Sequence, residues 1–166
     1  MKIPYGVSNF KTIRNEGLYY VDKTEYLAKL EERDRFVFFV RPRRFGKSLF
    51  ISMMQSYYDR REKENFEKLF GGLWLGEHPT QNRNRYLVLA LDFSKAGATG
   101  GRSLQECFDA YLSECFDGFV QRYPDVYDEK FRESFLKKGP LERFVSMTIC
   151  AHASGLPIYL IIDEYD

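Results

Sequence analysis

A chain of 166 residues that is 44% hydrophobic suffices for one domain with a real core and is short for two. Aromatics make up 17% of it, with 15 Phe and 12 Tyr, which excludes a disordered chain. The formal net charge of +1 excludes a global pull toward nucleic acid or a membrane surface, so any basic site is local.

The N-terminal MKIPYGVSNF has no apolar h-region, and no run approaches the roughly 18 apolar residues of a spanning helix. The chain reads as cytoplasmic. After breakers at Pro4 and Gly6 it settles into a helix, with Asp22 or Thr24 as N-cap and Tyr26, Leu27 and Leu30 on the apolar face. Phe36 to Val40, FVFFV, is a continuous β-branched and aromatic run, the pattern of a strand covered on both faces at the centre of a sheet. RPRRFGKS follows at once, and LFISMMQSYYDRREKENFEKLF then reads as helix, with Leu49, Phe50, Met53 and Tyr57 on one face. A second helix carries Phe66, Leu69 and Phe70 and stops at Gly71-Gly72. Residues 71–85 read as a loop.

RYLVLALDFS, around Tyr86 to Phe93, is a second buried-type strand, and the glycine-rich SKAGATGGR after it is a loop. Ser103 and Glu106 form a capping box, and Leu104, Cys107, Phe108, Tyr111, Leu112, Cys115, Phe116 and Phe119 recur at helical spacing. Two of the three cysteines fall on that stripe, which favours buried thiols, and with no C-x-x-C pair and only His78 and His152 a zinc site is disfavoured. A helix near Asp128 to Lys138 ends at Gly139, and Pro140 opens another to about Ala153. Ile158 to Ile162 is a third apolar strand, followed by Asp163 and Glu164. Strands alternating with long helical connections indicate an α/β fold with a mainly parallel sheet.

Two motifs carry chemistry. In RPRRFGKS, Gly46, Lys47 and Ser48 end the loop as a phosphate-binding G-x-x-x-x-G-K-[ST] loop ends, although Arg41 stands where its first glycine belongs. Such a loop surrounds phosphate oxygens with backbone N–H groups at a helix N-terminus, Lys47 reaching the β- and γ-phosphates and the Ser48 hydroxyl a Mg²⁺ ion. The competing reading is a basic turn in which Arg41, Arg43 and Arg44, with Lys47, meet solvent or nucleic-acid phosphates. Far downstream, an apolar strand ending in Asp163-Glu164 has the form of a Walker B segment, with Asp163 on the metal through a water and Glu164 on the attacking water. Ligands of open α/β sheets bind at that C-terminal strand edge, and both motifs occupy it in the correct chain order. Asp92 ends the second strand, where it either approaches the γ-phosphate side or caps the next turn.

Together PYGVSNF, YYVDKT, FFVRPRRFGKSLFISMM, LDFS and IYLIIDEYD resemble the bacterial AAA-ATPase-like family, whose members commonly carry a C-terminal nuclease-like domain of the PD-(D/E)xK type. In that family an arginine at the first-glycine position belongs to the usual pattern. The resemblance implies a three-layer αβα P-loop NTPase fold over 1–166, with 1–35 as an N-terminal arm and helix and 36–166 as the nucleotide-binding core. It implies ATP and Mg²⁺ as cofactors, with Arg41, Pro42, Arg43, Arg44, Phe45, Gly46, Lys47, Ser48 and Leu49 lining the nucleotide. Ser48 and Asp163 would hold the metal, with Lys47 and Glu164 as catalytic groups. Asp22-Lys23-Thr24 either passes near the adenine or packs as an arm.

The last residue lies three beyond Asp163. The resemblance implies a further strand between the P-loop and Walker B strands, a sensor residue, an arginine finger and the nuclease-like domain, all later in a chain. The expectation is therefore a fragment with an incomplete sheet: either the P-loop and Walker B strands are adjacent in an alternative strand order, or the chain is marginal and prone to self-association. The functional expectation is the ATP/Mg²⁺-binding module of an ATPase that drives or licenses a partner domain, nucleic acid being reached through the nuclease-like domain. The alternative is a nucleic-acid-binding module without nucleotide hydrolysis.

Overall fold

The structure is a computed structural model that describes residues 2–33, 36–40, 42, 45–97 and 101–164. The chain divides into two compact units, Met1–Arg85 and Tyr86–Asp166.

The first unit is built from short helices: α1 (Phe10–Asn15), α2 (Glu25–Glu31), α3 (Lys47–Tyr58), a 3-10 turn over Arg60–Asn65, α4 (Phe66–Phe70) and α5 (Trp74–Glu77). Rings make its core, with Phe70 5.0 Å from Phe10 and 5.3 Å from Tyr57 between centroids. Helices this short cannot hold themselves together in water, so they are fastened by side chains from elsewhere. Asn9 caps α1 through the Thr12 N–H. Arg14 donates from Nε to the Leu69 carbonyl and from Nη2 to that of Gly71, each at 2.7 Å, satisfying carbonyls at the end of α4.

Asp22-Lys23-Thr24 proves to be one of these fasteners. One Asp22 oxygen accepts the Thr24 N–H at 2.8 Å and the other accepts the Trp74 N–H at 2.7 Å. The fully buried Thr24 hydroxyl accepts the Leu75 N–H at 3.1 Å. Thr24 precedes α2 but its side chain does not cap it. Both side chains cap α5 instead, some fifty residues downstream, within the stretch expected to be a loop. Gly76 lets α5 lie against α4, because a Cβ there would stand 2.2 Å from the Phe70 carbonyl oxygen.

Phe36 to Val40 does not form the expected buried central strand. It has no assigned ladder, and Phe36, Phe38 and Val40 are 88%, 80% and 82% exposed. The composition is right for a strand, but a strand exists only through a partner, and the first unit offers none among its described residues. Phe39 stacks on a core ring, Phe50, at 4.9 Å.

In the second unit, β1 (Leu87–Asp92) and β2 (Ile158–Asp163) pair in parallel, in register from Leu87 with Ile158 to Asp92 with Asp163. Between them run α6 (Leu104–Arg122), α7 (Glu129–Phe135) and α8 (Pro140–Ala153). Leu87, Leu89 and Leu91 point to one face, where Phe116, Phe119, Tyr123, Phe135 and Met147 bury them. The edge of β1 away from β2 is closed by α6, since the Val88 N–H donates to the Tyr123 hydroxyl at 2.8 Å and that of Asp92 to the Tyr111 hydroxyl at 2.6 Å. The expected double cover of β2 is partial, because Leu160 and Ile162 are 43% and 42% exposed. Arg143, buried on α8, joins α6 and the α7–α8 turn by bonds to Asp117 and the Leu136 and Lys138 carbonyls.

Candidate functional site

The phosphate-loop residues lie in the first unit and the strand-end acids in the second. Arg41, Arg43 and Arg44 fall outside the described residues. Pro42 is exposed, and its carbonyl accepts the Phe45 N–H at 3.3 Å. Phe45 is 65% exposed. Gly46 is the N-cap of α3 with φ of +77°, left-handed backbone that a side chain would strain although the space beside it is open.

Lys47 and Ser48 are the first two residues of α3, the first half-buried and the second exposed, and the half-buried Leu49 follows. The first helical hydrogen bond runs from the Phe50 N–H to the Gly46 carbonyl at 3.0 Å. Neither a capping side chain nor an acid occupies this first turn. The start of α3 thus keeps its positive dipole end unneutralised by its own sequence, which suits an anion. Behind it, Phe50, Met53 and Tyr57 are buried, and Ser52 accepts the Phe10 N–H at 3.0 Å, so the helix that opens with Lys47 is anchored to α1.

In the second unit, Asp163 is the last residue of β2, and Glu164 follows with φ of +51°, its N–H donating to the Asp163 carboxylate at 3.0 Å. A non-glycine residue in the left-handed region is uncommon and ends the strand abruptly, placing the two acids on different headings. Asp92 stands beside Asp163 at the matching end of β1. Its carboxylate accepts the Ser94 hydroxyl at 2.6 Å and the Ser94 N–H at 3.2 Å, and Lys95 Nζ lies 3.4 Å away. The Ser94 hydroxyl first, with Lys95 adding to it, holds Asp92 below the ordinary carboxylate range. Asp92 therefore does cap the following turn. An aspartate two residues before a serine is the spacing of a side-chain-capped turn, but nothing in that spacing marks Lys95.

Taken each by itself, the Ser48 hydroxyl and the Asp163 carboxylate are hard oxygen donors of the kind Mg²⁺ takes, and the open left-handed start of α3 is of the kind that receives phosphate.

These features define an α/β protein with a small parallel sheet, an uncapped lysine-led helix start and acids at a strand end. Residues 4–166 match the sequence family described as predicted AAA-ATPase, and the chain belongs to this AAA-ATPase-like family. It is also 29% identical, over 99% of its length, to the uncharacterized protein in the vnfD 5'region of Azotobacter chroococcum mcd 1. It spans 29% of that relative's length. No solved structure matches it significantly. No described helix is long and apolar enough to cross a membrane.

Proposed function

We propose that the chain is the ATP- and Mg²⁺-binding module of an AAA-like P-loop ATPase, one nucleotide-binding domain over 1–166, acting in the cytoplasm to drive or license a partner domain. The observation that carries this reading is the start of α3, where left-handed Gly46 opens a helix whose first turn is Lys47-Ser48-Leu49 with no acid and no side-chain cap. Backbone N–H groups there receive phosphate oxygens, and Lys47 adds a point charge beside them. Arg41, Pro42, Arg43, Arg44 and Phe45 form the rest of the cradle. Mg²⁺, when bound, supplies neutralisation of the phosphate charge, and Ser48 and Asp163 are the residues that would hold it. Glu164 orients water for attack on the terminal phosphate.

The three-layer parallel sheet belongs to this proposal. Such a sheet extends from β2, because the outer edge of β1 is closed by Tyr111 and Tyr123.

Calorimetry tests the reading. Lys47→Ala is expected to abolish ATP binding while circular dichroism stays that of the parent. Unchanged affinity would remove the nucleotide site. Oligonucleotide binding that weakens steeply with salt and that ATP does not displace would point instead to a nucleic-acid-binding module.

A further inference from the structure

We draw no further inference here: the strongest candidate, the exposed apolar stripe of Leu141, Val145 and Ile149 along α8 in the second unit, carries nothing because nothing in the structure shows what covers it.

Discussion

The two units reach stability by different means. Tyr86–Asp166 is organised around long amphipathic helices laid on a short parallel sheet, with an apolar interior of contiguous Leu, Phe and Tyr side chains. Met1–Arg85 has a ring core as well, but among its described residues α3 is the only α-helix to reach 12 residues. The remainder depend on Asn9, Arg14, Asp22, Thr24 and Glu31, polar side chains that satisfy the ends of elements or tie loops down. Glu31 exemplifies this, accepting from Tyr58, Thr80 and Asn82, each at 3.0 Å. In one unit the hydrophobic effect specifies the arrangement; in the other, individual hydrogen bonds do much of that work.

The sharpest way to break this contrast is to remove one ring from the second core. Phe135 is fully buried and packs on Phe131 at 5.5 Å. Phe135→Ala is expected to cost about 3–5 kcal/mol, a loss to be read from urea unfolding. Hydrogen exchange should show protection falling together across β1, α6 and α8. Protection lost from α7 alone would mean that this core is less continuous than described.

A smaller effect is expected from one polar fastener in the first unit. Thr24→Val keeps the volume and removes the acceptor of the buried Leu75 N–H. The cost should be about 1–3 kcal/mol, because a buried donor is left unpaired. Exchange should accelerate first at the amides of α5. If α5 keeps its protection, the clamp is incidental and ring packing holds the helix.

The same contrast decides what could be read beforehand. The bounds of α8, the Ser103–Glu106 capping box and both strands of the second unit are legible because their signals are local: a proline at the first turn, a cap three residues from its partner, an unbroken apolar run. α5 was not legible, since its caps come from Asp22 and Thr24, and no window of sequence contains both ends of that interaction. Phe36 to Val40 fails for the opposite reason. Its composition is strand-like, yet composition cannot supply a ladder partner. Of the candidate site, the glycine-led start of α3 and the strand-end position of Asp163 were both in the sequence. The left-handed Glu164 and the Lys95 ammonium beside Asp92 were not, because each depends on how a turn closes in three dimensions.

The smallest effect lies at alkaline pH. Burial first, and the Asp22 carboxylate next, push the Tyr20 hydroxyl from 10.0 to about 12. In the second unit Tyr111 is likewise pushed up to about 12, mainly by burial. A group whose folded pKa is raised contributes stability that is complete below its unfolded value and is lost as pH rises through the folded one. Tyr20 should therefore leave stability untouched below about pH 10 and erode it between about 10 and 12, as the unfolded chain releases a proton that the folded chain retains. Tyr20→Phe removes that proton while keeping the ring that meets Phe10 edge-on at 5.3 Å. Its melting temperature should follow the parent near neutrality, apart from a small constant offset for the lost hydroxyl, and fall less steeply above pH 10. The remaining slope belongs to Tyr111 and to Tyr57 and Tyr127, which burial also raises. If Tyr20→Phe and the parent keep parallel slopes to pH 12, Tyr20 is not buried as described, and the first unit is looser around Asp22 than its hydrogen bonds require.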